Sequence, residues 1–210
     1  MITAIGYDIS ALTEAQALLD TVQTDLAESK ERLAVQKSAT NLEKSIRQAA
    51  QREISSLADT ARLLFTPDDA TLTALGLQTR YVILTEPETG DSIKRAKRAS
   101  KSTAELINRW RLLVTNAAKL EPEEQAQLTT AGWGAARIAA ASDLVEAYVH
   151  ADIAQQSAIQ QYRQAKRQYS DNIAALRQWY GRARGLTLLA IRDKDPATQQ
   201  YIRDLLGLNG

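Results

Sequence analysis

The sequence predicts an all-α protein, an elongated antiparallel bundle of two long helices and one shorter helix, with short Pro-initiated helices capping the turns. Three observations predict this fold. Apolar residues recur every three or four positions along two runs of more than fifty residues each. The chain has one Phe and one Met although 44% of its residues are hydrophobic, which favours close packing of small side chains on helices. Three segments also end in the same Pro and Gly pattern.

The first long helix is predicted from Thr13 to Phe65, a run without Pro or Gly in which Thr13 and Gln16 form a capping box. The spacing of its apolar residues changes phase between Leu33 and Leu42, which indicates a stutter or a change of packing partner. Uninterrupted, such a helix is about 80 Å long. A much shorter third helix cannot cover all of this apolar surface, so a strip near the ends of the two long helices is expected to stay exposed in a monomer. The apolar stripe of the first helix consists of Leu19, Val22, Leu26, Leu33, Leu42, Ile46, Ala50, Ile54, Leu57, Ala61 and Leu64.

The second long helix is predicted from about Gly134 to Asp193, where small residues alternate with tyrosines at coiled-coil spacing. Tyr162 and Tyr169, one heptad apart, are the residues expected to face a partner helix. Gly181 and Gly185 are expected to produce a kink or an early end. A shorter helix, from about Ser92 to Leu120, is predicted between the two long ones.

Each of the three helical segments is predicted to end in a two- to three-turn helix that folds across it. Pro67, Pro122 and Pro196 stop one helix and start the next. Nine to eleven residues later, Gly76, Gly132 and Gly207 are each followed by a large apolar residue, which is typical of a helix C-terminus. We therefore interpret residues 1–210 as a single helical domain, with possible internal repeat units 1–77, 78–133 and 134–208.

One segment does not fit a helix. Residues 80–86, RYVILTE, are β-branched and aromatic and predict a strand at 81–85, and residues 2–7 have a weaker character of the same kind. A lone strand is not stable in water. Three alternatives remain: the two segments pair with each other, they pair with another subunit, or the stretch Tyr81, Val82, Ile83 and Leu84 is an ordered loop on the bundle.

The chemistry-bearing residues favour a protein that is not an enzyme. There is no cysteine and only one histidine, His150, which excludes disulfides, thiolate catalysis and a two-histidine metal site within the chain. His150 follows Glu146 by one helical turn, the spacing of an ordinary side-chain pair. No catalytic residue, cofactor site or metal site is predicted.

The most specific charged feature is a cluster of five basic residues within eight positions: Lys94, Arg95, Lys97, Arg98 and Lys101. Basic charge at the start of a helix opposes the macrodipole, so a compensating anion is expected. One alternative is nucleic acid or another polyanion. The interpretation we favour is an acidic segment of this chain or of a neighbouring copy, because the whole chain carries a formal net charge of only +1.

These features together predict a structural or assembly protein that forms homo-oligomers through its long helices, for example as a filament or lattice subunit. A nucleic-acid or polyanion-binding adaptor using residues 94–101 is the second hypothesis. A helical pore-forming or membrane-active protein is a weaker third. The opening residues lack the basic region of a signal peptide and no apolar run spans a bilayer, so a cytoplasmic location is expected.

Overall fold

A computed structural model of the chain describes residues 9–65, 70–77, 81–85, 92–96, 102–205 and 207. The fold is all-α, with two long helices, four shorter ones and a two-stranded β-hairpin in the described part of the chain. The elements in chain order are α1 (Ile9–Leu64), α2 (Ala70–Ala74), β1 (Tyr81–Thr85), β2 (Ser92–Ala96), α3 (Thr103–Ala117), α4 (Pro122–Thr130), α5 (Ala135–Ile191) and α6 (Pro196–Leu205).

The chain divides into two compact units, and both long helices contribute to each. Unit 1 comprises residues 1–37 and 157–210, and unit 2 comprises residues 38–156. The division at Lys37 and Ser38 falls inside the interval where the apolar spacing of the first helix changes phase. The predicted repeat units and the single-domain organisation stay predictions.

Unit 2 contains a large hydrophobic core. Nineteen buried hydrophobic residues among those described form one cluster, drawn from α1, α2, α3, α4 and α5. Trp133 and Tyr148 are its largest fully buried side chains, and Trp110 packs against Tyr148 with ring centroids 5.6 Å apart. Arg137 at the start of α5 bonds Glu53 late in α1, and Gln155 bonds Thr40, so the two helices run antiparallel within this unit.

Unit 1 has a much smaller core. Of its described hydrophobic residues, the buried ones are Val22, Ala158, Ala165 and Ile191. The bonds from Gln168 to Asp25 and from Arg32 to Gln161 show that α1 and α5 are antiparallel here too. Ala158 and Ala165, one heptad apart, allow the two backbones to approach closely.

The short helices end as predicted. At the end of α2 the Leu77 N–H bonds the Leu72 carbonyl and the Gly76 N–H bonds the Thr73 carbonyl, and α4 ends with the same pair of bonds at Trp133 and Gly132. These are Schellman motifs, which require a left-handed residue, and Gly76 and Gly132 have φ of 71° and 86°. Gly207 also has a positive φ, 64°. Pro122 and Pro196 begin α4 and α6, whereas Pro67 lies outside the described residues.

The prediction of a helix from Ser92 was wrong. Residues 92–96 form β2, and α3 begins at Thr103 with Ser102 as its N-cap, whose hydroxyl accepts the Glu105 N–H. A strand at 81–85 needs a partner for its backbone groups, and the adjacent segment supplies it. Lys94 and Arg95 therefore lie on β2 rather than at a helix N-terminus, where the macrodipole would oppose them.

Three smaller expectations also changed. The helix α1 already includes Ile9, so Thr13 lies inside it rather than at its cap. The helix α5 continues through Gly181 and Gly185 to Ile191. Four residues of the apolar stripes, Leu19, Leu42, Leu64 and Tyr180, are more than one-third exposed, which was expected near the ends of the long helices but not at Leu42. The first and last of these lie in unit 1, where the described core is small.

Candidate interaction surfaces

The strand predicted at 81–85 and the basic segment pair with each other. In the antiparallel hairpin, Val82 lies opposite Arg95 and Ile83 lies opposite Lys94. The β1 residues Tyr81, Val82, Ile83 and Leu84 thus belong to a strand with a partner inside the chain. Residues 2–7 and the remaining cluster residues Lys97, Arg98 and Lys101 lie outside the described residues. Of the five basic residues, the structure therefore places Lys94 and Arg95, both on β2.

Tyr162 and Tyr169 lie half-buried on α5 in unit 1. They flank the buried residues Ala158 and Ala165, which lie in the seam, the line of contact between α1 and α5 in unit 1. Half-burial leaves part of each ring accessible, so their predicted role in facing a partner stays a prediction.

Asp25 is a buried carboxylate in the seam of unit 1, with 4% of its surface exposed. Its two oxygens accept hydrogen bonds from Gln168 Nε2 at 2.9 Å and from Asn172 Nδ2 at 2.7 Å. Arg32, one heptad after Asp25, donates to Gln161 Oε1 at 3.3 Å, one heptad before Gln168. These bonds fix which residues of α1 and α5 face each other.

With the seam fixed, helical geometry assigns the flanking residues to sides. Each residue turns the helix by about 100°, and in an antiparallel pair the positions that follow the seam residue on each helix lie on the same side. Leu26 follows Asp25 on α1, and Lys166 follows the buried Ala165 on α5, so both lie on one side of unit 1.

We name this side the basic face. It combines a line of apolar side chains with a row of cations, and no acidic residue of 19–37 or 157–177 lies on it. Its apolar residues are Leu19, Leu26, Leu33, Tyr162, Tyr169 and Ile173. Its cations are Lys30, Lys37, Arg163, Lys166 and Arg177, all of them exposed. None of the ion pairs found among the described residues involves these five cations.

The opposite side of unit 1 is the acidic face. It is formed by Asp20, Glu28, Glu31 and Asp171, together with the glutamines that bond across the seam. Arg32 at its inner edge is paired with Glu28 at 3.4 Å, and Arg167 lies at its outer margin. Within residues 19–37 and 157–177, the two faces of unit 1 therefore carry opposite charge.

Unit 2 holds two cross-helix ion pairs. Arg111 of α3 donates two hydrogen bonds to Glu146 of α5, at 2.7 and 2.5 Å. This hydrogen bonding lowers the pKa of Glu146 and raises the pKa of Arg111. Glu146, the expected neighbour of His150, is thus engaged by an arginine, and His150 itself is exposed.

The second ion pair, between Arg137 and Glu53, is combined with a cation–π contact between Arg137 and Trp133. The Arg137 guanidinium lies 4.0 Å from the centre of the Trp133 ring, and its Nη2 is 3.1 Å from Glu53 Oε2. Trp133 is 1% exposed, so the cation covers a buried indole at the start of α5. The contact joins the end of α4, α5 and α1.

The described residues hold neither a candidate metal site nor a helix able to span a bilayer. No group of three or more His, Asp and Glu side chains in ranges 9–65, 70–77, 81–85, 92–96 and 102–205 is placed to hold a metal ion. Over the same part of the chain, no helix has an apolar window of the length and hydropathy needed to cross a bilayer.

Sequence reasoning missed the charge segregation of unit 1. The signal was present in α5, where Arg163, Lys166 and Arg177 recur at helical spacing. The cluster at 94–101 could be recognised from the sequence because its charges are adjacent. The residues of the basic face can be grouped only once the contact between α1 and α5 is known. Asp25 carries no sequence signal at all, because its type and spacing match those of a solvated charge.

Comparison with protein-family models, with curated proteins and with solved structures finds no match to this chain.

Proposed function

We propose that this protein is a non-enzymatic structural protein that self-associates through its long amphipathic helices, as a subunit of a filament or lattice. The observation that carries the proposal is the contrast between the two units. In unit 2 the helices α2, α3 and α4 contribute to one core with α1 and α5. In unit 1 the described core consists of four residues, and large apolar side chains of the long helices remain exposed there, namely Leu12, Leu19, Val35, Tyr180, Leu186 and Leu189. Unit 2 also exposes Leu42, Leu63, Leu64, Leu112 and Ile153, so the contrast between the units lies in the size of the core.

The physical reason is the cost of that exposure. Helical stability in proteins comes mainly from packing an amphipathic face rather than from intrinsic propensity. Burying apolar surface contributes about 25 cal/mol per Å², so covering several leucines and tyrosines favours association. A second copy brings the same helices with the same spacing.

The test is the mass of the protein in solution as a function of concentration, measured by light scattering coupled to size exclusion. We expect the mass to rise with concentration, and we expect Leu19→Gln with Tyr180→Gln to weaken the association. Leu63→Gln is the matched control, because Leu63 is 88% exposed on α1 but belongs to unit 2. A wild-type protein that stays monomeric at every concentration overturns the proposal.

A second candidate function is polyanion binding. It is supported by the position of Lys94 and Arg95 on one strand of the hairpin, next to the further basic residues of the sequence. Phosphate contacts make such binding strongly dependent on salt. The test is retention on heparin and on duplex DNA at increasing salt, compared between the wild type and Lys94→Glu with Arg95→Glu. Equal retention of both proteins excludes this use of the hairpin.

A further inference from the structure

We propose that copies of this chain join head to tail, with the basic face of unit 1 in one copy packed against the acidic face of unit 1 in the next. This inference rests on the proposed self-association and names the two surfaces that meet. It commits to a second copy as the occupant, because unit 1 itself carries the complementary surface.

The apolar line alone is too small for a stable contact. Fully burying a large aromatic side chain covers about 150–250 Å². Leu19 is 38% exposed and the other five side chains of the line are less exposed, so the six together offer on the order of 300 Å². Stable interfaces bury about 800 Å² per partner. The contact must include the charged side chains that flank the apolar line, and these determine which surface can lie opposite.

Repulsion between like charges disfavours a twofold dimer in which the basic faces of two copies meet. In a twofold dimer the same patch meets its own copy, so Lys30, Lys166 and Arg177 would lie against the same cations of the partner. Like charges brought together across an interface repel and strongly disfavour that contact. The acidic face, with Asp20, Glu31 and Asp171 exposed, offers opposite charge instead.

Contact between two different faces has a structural consequence. A heterologous interface leaves one face of each copy free to bind the next, so assembly continues into a ring if the rotation closes and into an open filament if it does not. The two faces lie on opposite sides of the same helix pair, so one copy can bind a neighbour on each side. The geometry of unit 1 therefore favours extended assemblies over dimers.

The test uses two charge-reversed proteins. The first, Lys30→Glu with Lys166→Glu and Arg177→Glu, makes both faces acidic. The second, Asp20→Lys with Glu31→Lys and Asp171→Lys, makes both faces basic. All six residues are exposed, so folding should be retained and is checked by circular dichroism. The matched control, Lys44→Glu with Arg52→Glu and Lys119→Glu, changes net charge as the first protein does but reverses exposed residues of unit 2.

We expect each reversed protein alone to need at least about tenfold higher concentration for half-association at low salt, because its two faces repel. The control should associate like the wild type. An equimolar mixture of the two reversed proteins should recover association, with masses above that of a dimer, because every basic face again meets an acidic one. Recovery on mixing is the decisive result.

Four results would overturn the inference. Association of the second reversed protein at wild-type concentrations would show that the acidic face is not used. Recovery that stops at a dimer would show a closed contact. The mixture could also fail to assemble. If, in addition, the wild-type protein binds duplex DNA or phosphatidylserine vesicles and the first reversed protein does not, the basic face is assigned to a polyanion. If the Leu19 and Tyr180 substitutions weaken association while both charge reversals leave it unchanged, self-association stands and the head-to-tail contact fails.

Discussion

Asn172 of α5 donates a hydrogen bond of 2.7 Å to Asp25 of α1, a carboxylate that is 4% exposed. The second oxygen of Asp25 accepts a bond from Gln168. A buried carboxylate is tolerated only when its lone pairs are satisfied. Because both partners are on α5, this contact fixes the alignment of the two long helices in unit 1.

The first prediction concerns this contact. Asp25→Ala leaves two amide groups without their acceptor, and we expect a loss of about 1–3 kcal/mol in the free energy of unfolding. Urea denaturation followed by circular dichroism measures it. Asp20→Ala, on the exposed side of the same helix, is the control and should change stability by about 0.5 kcal/mol or less. Equal effects of the two substitutions would mean that the seam does not depend on Asp25.

The second prediction concerns the pH dependence of the Arg111 and Glu146 pair. Hydrogen bonding to Arg111 lowers the pKa of Glu146 in the folded state below its ordinary value of 4.5. A lowered carboxyl pKa contributes stability that is fully present above the unfolded pKa. The contribution is then lost as the pH falls below about 4.5 towards the folded pKa.

The measurement is the free energy of unfolding of the wild type and of Glu146→Gln between neutral pH and acid. We expect the wild type to be the more stable protein at neutral pH, with the difference shrinking as the pH falls below about 4.5. A difference that stays constant across that range would show that the pair does not act through the charge of Glu146.

The third prediction compares two glycines. Gly132 has φ of 86°, and a Cβ there would meet only Arg137 at 3.9 Å, so any cost of Gly132→Ala comes from the backbone conformation. We expect a loss of about 1–2 kcal/mol in stability. Gly185 lies inside α5 with nothing within 4 Å of an added Cβ, so Gly185→Ala should instead gain about 0.5–1 kcal/mol. Thermal unfolding of both variants checks the opposite signs.

The fourth prediction concerns the cation over Trp133. Arg137→Ala removes the guanidinium 4.0 Å from the ring centre and its bond to Glu53, and we expect a loss of about 1 kcal/mol in stability. Arg137→Lys keeps the charge but not the planar group that stacks on the ring. It should recover less than half of the loss. Full recovery by lysine in urea denaturation would mean that charge alone accounts for the contact.

The helices and their ends could be predicted from the sequence because their causes are local. The stripe through Ile54, Leu57 and Ala61 needs only helical spacing, and these residues are buried as predicted. Gly76 and Gly132 indicate helix ends with a left-handed backbone conformation, because residues other than glycine rarely adopt that conformation. The β-branched residues at 81–85 indicated a strand, with an ordered loop left open as an alternative, and the pairing with residues 92–96 was not among the alternatives considered.

The errors and omissions concern pairings between segments. Residues 92–96 have no strong strand pattern of their own, and they form β2 because the adjacent strand needs a partner for its backbone groups. Leu19 and Tyr180 remain exposed near the ends of the long helices, as expected, whereas the exposure of Leu42 in the middle of α1 was not expected. Spacing shows which residues share a face, but it does not show whether another element covers that face.

The sequence by itself therefore determined the helical class, the two long helices and the Gly-ended short ones, since each follows from residue type and spacing within a few turns. Only the tertiary structure decided the partner of β1, the burial of Asp25 and the separation of charge onto two faces of unit 1. These features depend on which side of α1 meets which side of α5. That choice is made by contacts between residues more than one hundred positions apart, such as Asp25 and Asn172.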